Sequence, residues 1–150
     1  MKLEDELKMK NFSSPHQKML LNIIFTNYWI GDKMAGYMKS YDLSEQQYNV
    51  LRILRGQKGN PVNLKDLQER MMQKTSNVTR LVEKLRLKGL LERVQCMENR
   101  RKVEITITDK GLKLLEEMQP EMDAMNDRFA KVLTEEEASV LSDLLDKLRE

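Results

Sequence analysis

Cysteine, histidine and tryptophan each occur once in the 150 residues, and each scarcity closes off a kind of chemistry. A single cysteine, Cys96, cannot form an internal disulfide, which suits a reducing interior. Cys96 and His16 supply no zinc-ligand spacing, and a lone histidine makes no catalytic pair. There is no glycine-rich phosphate loop, no H-E-x-x-H and no nucleophile elbow. Neither an enzyme nor a cofactor, metal included, is expected. No apolar run approaches the roughly 20 residues that cross a bilayer. Residues 1–10 mix Lys, Glu and Asp with isolated Leu3, Leu7 and Met9, unlike the continuous apolar stretch of a signal peptide. The expectation is a cytoplasmic protein with no membrane partner. Internal repeats and low-complexity tracts are missing too.

The chain is about the size of one ordinary domain, and its formal charge of only +2 hides an uneven distribution. Residues 73–102 hold nine basic residues against three acidic ones, a local charge of +6. Residues 112–150 hold five against eleven, a local charge of −6. A basic middle beside an acidic end suggests a polyanionic partner for the middle.

Three segments write a helix start alike, a hydroxyl residue followed three positions on by Gln or Glu: Ser14-Pro15-His16-Gln17, Ser44-Glu45-Gln46-Gln47 and Thr134-Glu135-Glu136-Glu137. Pro15 suits the first helical position, and Leu43 and Tyr48 are spaced for a hydrophobic staple across the second start. Leu20, Ile23, Ile24, Ile30, Met34, Tyr37 and Tyr41 follow the first start at helical spacing, and Leu141, Leu144, Leu145 and Leu148 follow the third. A short helix is expected over 63–72, capped by Asn63 with Leu64, Leu67 and Met71 inward, after the breaks at Gly56, Gly59, Asn60 and Pro61. Another is expected from about Ser76 to Lys88, with Val78, Leu81, Val82 and Leu85 on one stripe and Gly89 as its stop. The period then changes to two. Leu91, Arg93 and Gln95, then Val103, Ile105 and Ile107, read as two strands around a turn at 97–100. Thr108 caps a long helix carrying Leu112, Leu115, Met122, Met125 and Phe129, which Pro120 is expected to kink.

The fold class is therefore mainly α with a small β-hairpin wing: helices at 44–55, 63–72 and 76–88 leading into a hairpin make a winged helix-turn-helix. The whole of 1–150 reads as a single domain, with 43–110 as its DNA-binding region. The outer segments, 1–41 and 111–150, carry apolar stripes too large for so small a domain to cover. A second copy covers them most economically, so they are read as dimerisation helices.

At 100° per residue, the stripe on 76–88 leaves Ser76, Arg80 and Glu83 opposite, flanked by Asn77, Thr79 and Lys84. Hydroxyl, amide and guanidinium groups near a helix start match the donors and acceptors of base edges in a major groove. Lys74, Thr75, Lys84, Arg86 and Lys88 suit phosphates better. Arg100, Arg101 and Lys102 fall at the hairpin tip, where a side chain can enter a narrow minor groove. A polar helix face or a basic turn alone is commonly just a solvated surface. The two in this order point to double-stranded DNA, with a winged-helix module that binds protein instead as the alternative.

These residues also carry a resemblance. Asn99-Arg100-Arg101-Lys102-Val103-Glu104-Ile105-Thr106-Ile107-Thr108-Asp109-Lys110-Gly111 is similar to the wing pattern D-x-R-x-x-x-V-x-L-T-x-x-G of the multiple-antibiotic-resistance regulator (MarR) family, with Asn99 where that pattern has aspartate. Thr75-Ser76-Asn77-Val78-Thr79-Arg80-Leu81-Val82-Glu83-Lys84-Leu85 and Lys88-Gly89-Leu90-Leu91 resemble the family's recognition helix and the residues leading into its wing. The resemblance extends from about Gln17 to Leu148. It implies a homodimer on a pseudo-palindromic operator, usually a repressor relieved by a small ligand or an oxidant, and it sets Arg101 on the family's minor-groove arginine.

The remaining distinctive residues have two readings each. Cys96 is an inert strand residue or, near Arg93, Arg100 and Arg101, a redox sensor. Trp29, Tyr37 and Tyr41 belong to the core or line a pocket for a small aromatic effector, the ligand class the resemblance implies; Tyr28 and Tyr48 share that choice. Met118, Met122 and Met125 suit an adaptable interface.

Overall fold

The structure is a computed structural model that describes residues 1–95 and 103–150. Cys96, Asn99, Arg100, Arg101 and Lys102, and the turn expected at 97–100, lie outside the described residues. The elements run α1 (Leu3–Leu7), α2 (Pro15–Ser40), α3 (Glu45–Gly56), α4 (Leu64–Arg70), α5 (Val78–Leu87), β1 (Leu91–Gln95), β2 (Val103–Ile107), α6 (Asp109–Ala130) and α7 (Glu135–Lys147). The two strands are antiparallel, with Leu91 opposite Ile107 and Gln95 opposite Val103.

The expected caps form, because each depends only on residues within one turn. Ser44 and Thr134 each build a complete capping box with Gln47 and Glu137. At α2 the Ser14 hydroxyl accepts from the Gln17 amide, but the Gln17 side chain accepts from the Ser13 amide, one residue further out. Asn63 and Thr108 cap α4 and α6. Gly89 ends α5 with φ +70. The Leu90 amide reaches back to the Leu85 carbonyl and the Gly89 amide to that of Arg86. Leu85 and Leu90 are both buried, which completes a Schellman stop. The same pattern ends α2, where Asp42 takes the left-handed position at φ 53 and the Leu43 amide bonds to the Met38 carbonyl.

Two features lie outside the sequence pattern. α1 precedes the expected first helix; its Leu3 is buried and its Glu4 pairs with Lys18 of α2. Val62 exchanges both backbone hydrogen bonds with Ile105, at 3.0 and 2.9 Å, tying the loop before α4 to the hairpin. As expected, α6 is one long helix that continues past Pro120, to Ala130.

The core lies within the winged unit. Val50, Leu51, Leu54, Leu67, Val82, Leu85, Leu91 and Ile105 are almost wholly buried, joined by Met38 from α2 and by Leu115 and Met118 from α6. Gly111 marks the closest approach of α6 to the hairpin base, since a Cβ there would stand 2.2 Å from the Leu90 carbonyl oxygen. Only a residue without that atom fits. The Tyr37 hydroxyl donates to the Met118 carbonyl, and that of Tyr41 to the Glu117 carbonyl at 3.4 Å, so α2 is tied to α6 in the stretch just before Pro120.

The outer faces differ. α7 buries no residue, and Val140, Leu141, Leu144 and Leu148 stay exposed along it. On α2, Leu20, Ile24 and Tyr28 form an exposed line at four-residue spacing.

Candidate nucleic-acid interface

α5 owes its orientation to one apolar stripe: Val78, Val82 and Leu85 are buried, with Leu81 partly so, against α3 and α4. The opposite side presents Thr79, Arg80, Lys84 and Arg86 to solvent. The helix begins at Val78, two residues later than expected, because Asn77 serves as its cap. The Asn77 side-chain oxygen accepts from the Arg80 amide at 3.0 Å. Asn77 thus spends its acceptor on the helix and keeps its amide NH₂. Ser76 is half-buried, and its shielded hydroxyl has no hydrogen-bond partner among the described residues.

The turn between α4 and α5 is held by polar side chains that the sequence reading did not single out. Asn49 accepts from the Met72 amide at 3.0 Å, Gln46 donates to the Gln73 side chain at 2.7 Å, and Gln68 donates to the Lys74 carbonyl at 2.7 Å. The first and third fix backbone segments that no regular element would fix, and the second ties the start of α3 to the turn. Thr75, exposed in this turn, follows Lys74, whose ammonium donates to the Glu69 carbonyl at 2.6 Å.

The expected DNA contacts therefore divide. Arg80 and Lys84 have no side-chain partner among the described residues. Arg86 is held by Glu83 through two parallel hydrogen bonds, Nε to Oε2 at 3.0 Å and Nη2 to Oε1 at 2.7 Å. The bonds from Arg86 hold the Glu83 carboxyl below the ordinary carboxylate range, and the charge of Arg93 on β1 adds to the effect. Lys88 bonds to the Asp42 carboxylate at 2.9 Å and also to the Asp42 carbonyl, joining the end of α5 to the end of α2. The Glu83 brace had a readable signal, a carboxylate three residues before an arginine on one helix. Nothing local could have signalled the Lys88 contact.

The three aromatic candidates do not share one site. Tyr37 and Tyr41 meet edge to face at 5.3 Å, and burial with Tyr41 alongside pushes the Tyr37 hydroxyl above the ordinary tyrosine range. Tyr41 lines a cleft of about 390 Å³ with Asp42, Lys88, Lys110 and Lys113. Trp29 sits apart, edge-on to Phe129 at 6.5 Å, with the Lys33 ammonium 4.6 Å and the Arg128 guanidinium 5.8 Å from its ring centre. Eight helical residues separate Trp29 from Tyr37, about 12 Å along the axis. Among the described residues no cluster of His, Cys, Asp and Glu could hold a metal ion, and no helix is long and apolar enough to cross a membrane.

An exposed polar helix, a polar-scaffolded turn before it and a hairpin after it are the parts of a winged helix-turn-helix. The sequence model of the MarR family matches residues 43–103. A MarR transcription factor from Planctomyces limnophilus is 30% identical, with 91% of this chain and 98% of that one covered, at a TM-score of 0.70. The chain belongs to the MarR family. The HTH-type transcriptional regulator MhqR of Bacillus subtilis is 29% identical over 119 residues, 79% of this chain and 81% of MhqR. Two further solved chains share the fold at 23% identity. NadR in complex with 4-hydroxyphenylacetate has a TM-score of 0.68, covering 93% of this chain and 97% of that one; a MepR variant of S. aureus bound to an oligodeoxyribonucleotide has 0.59, covering 84% and 91%. This MarR-family chain is thus a transcription regulator and not an enzyme.

Proposed function

We propose that this MarR-family chain works in the cytoplasm as a homodimer on pseudo-palindromic duplex DNA, as a repressor that a small ligand or an oxidant releases. The observation that carries the DNA reading is the exposed Thr79, Arg80 and Lys84 face of α5, rigidly based on a buried stripe. Thr79 and Arg80, with the Asn77 amide, are the base-reading candidates, and Lys74, Thr75 and Lys84 the phosphate candidates. Arg100, Arg101 and Lys102, which follow β1 in the sequence, remain the minor-groove candidates.

The dimer reading rests on the exposed lines of α2 and α7, which 1–41 and 111–150 contribute on either side of the DNA-binding region 43–110. A small aromatic molecule suits the cleft beside Tyr41, where lysines would meet a carboxylate. The aromatic ligand in NadR supports that class.

Selection of bound sites from a random duplex library tests the reading. The expected outcome is a pseudo-palindrome whose half-site centres lie about 10 base pairs apart, or a multiple of that. Enrichment of an asymmetric or single-stranded motif, or none, would overturn it.

A further inference from the structure

Among the basic residues of α5, Arg86 alone has its guanidinium edge filled by a carboxylate of the same helix. Glu83 accepts from both Nε and Nη2 of Arg86, at 3.0 and 2.7 Å. That is the two-point geometry by which arginine binds a phosphate. Glu83 thus occupies the place a backbone phosphate would take. It lies on the exposed side of α5, one turn beyond Thr79 and Arg80, and next to Lys84. A carboxylate there is otherwise a liability, since duplex phosphates repel it. The neighbouring cations Arg80 and Lys84 carry no such partner among the described residues, so the pairing is selective within the helix.

We infer that Glu83 is a specificity-determining residue, an internal stand-in for phosphate that keeps Arg86 off the backbone of nonspecific DNA. The inference rests on the proposed DNA reading. Nonspecific affinity rises with every phosphate contact and its counterion release, whereas base contacts by Arg80 and Thr79 do not depend on Arg86. Filling the Arg86 fork from within lowers the first without lowering the second. The ratio of specific to nonspecific binding therefore increases. The short tether of one helical turn matters, since it keeps the carboxylate at high effective concentration against an incoming phosphate.

The test is a double-mutant cycle on the full chain with Glu83→Gln, Arg86→Met and the double variant. Each is titrated across salt concentrations on a random-sequence duplex and on the duplex selected from the library. Glu83→Gln should raise affinity for the random duplex several-fold and steepen its salt slope by about one contact, 0.9 in log K against log salt. It should raise affinity for the selected duplex by less, so that discrimination falls; an equal rise on both duplexes would show that Glu83 sets affinity and not specificity, and would overturn the inference. In the Glu83→Gln background Arg86→Met should cancel the gain and return the salt slope to that of the unaltered chain, whereas Arg86→Met alone should not make the slope shallower, any fall in affinity there coming from the unpaired Glu83 carboxylate. A slope shallower by about 0.9 on Arg86→Met in both backgrounds would show that Arg86 contacts phosphate despite Glu83 and would sink the inference. A Glu83→Gln variant that melts earlier yet binds both duplexes with unchanged slope would reduce the pair to a helix brace, which also overturns it. If the unaltered chain binds neither duplex while remaining folded, the DNA reading fails first and takes this inference with it.

Discussion

The winged unit and the outer helices are written in the same local language but end differently. α3 and α7 each open with a full capping box and carry an amphipathic stripe. α3 buries Tyr48, Val50, Leu51 and Leu54, whereas α7 buries nothing and leaves Leu141, Leu144 and Leu148 about half exposed. Caps and periodicity decide that a helix forms, since they act within a turn. What covers its apolar face is decided by residues far away in sequence. α5 and β2, with α2, α4 and α6, cover α3 within this chain, and under the proposed pairing a second copy covers α7 and the line on α2.

The comparison breaks most sharply under truncation of one leucine in each region. Leu51→Ala in the sealed core should cost roughly 2–5 kcal/mol, the range for a large-to-small change that leaves a cavity, and the loss should not depend on protein concentration. Leu144→Ala, at a position 55% exposed in the single chain, should cost a monomer no more than about 0.5 kcal/mol. In a dimer it should weaken association on the order of tenfold, about 1.4 kcal/mol, so its melting temperature should fall increasingly on dilution. Thermal melts over a wide concentration range, with sedimentation at each end, separate the two. If Leu144→Ala melts like the unaltered chain at every concentration, α7 has no partner and the pairing fails.

How much could be read in advance follows the same division. The mainly helical order, the hairpin, the Asn63 and Thr108 caps and the Gly89 stop were legible, since each rests on neighbours three or four residues apart. α5 starts at Val78 and not at about Ser76, because Asn77 caps it and Val78 is already packed in the core. α1 escaped notice because five residues are too few for a periodic signal. The Val62 bridge, the Asp42 to Lys88 contact and the tyrosine bonds to α6 join residues 43, 46, 76 and 81 positions apart. No pattern within a window of one element contains them. Stripe geometry alone exposes Arg80 and Lys84, whereas the engagement of Arg86 by Glu83 depends on how the charges of the face pair with one another.

Where the two regions touch, a smaller effect sharpens the contrast. Tyr37→Phe removes the hydroxyl that joins α2 to the Met118 carbonyl, and a loss of about 1 kcal/mol is expected, the net worth of one such bond. The Tyr37 hydroxyl titrates above the ordinary tyrosine range in the folded chain. Its contribution is therefore whole below the unfolded value and is lost only as pH rises through the folded one. The difference between the two proteins should stay flat at neutral pH and shrink only in alkali. A difference that already varies between mildly acidic and neutral pH would mean that another group controls this contact.

The smallest expected effect lies at the other junction, where Asp42 of the α2 terminus meets Lys88 at the end of α5. Asp42→Asn isolates the charge, because asparagine tolerates the left-handed backbone at φ 53 and keeps the carbonyl to which Lys88 also bonds. The carboxylate is 95% exposed, and exposed ion pairs contribute about 0–1 kcal/mol with strong screening by salt. A loss below about 0.5 kcal/mol is expected at low ionic strength, vanishing as salt is added. Denaturant titrations at two ionic strengths measure it directly. A larger loss that survives high salt would mean that the Lys88 carboxylate contact, and not the backbone contact beside it, clamps the outer helix to the recognition helix, and the two regions would then have to be treated as one mechanical unit.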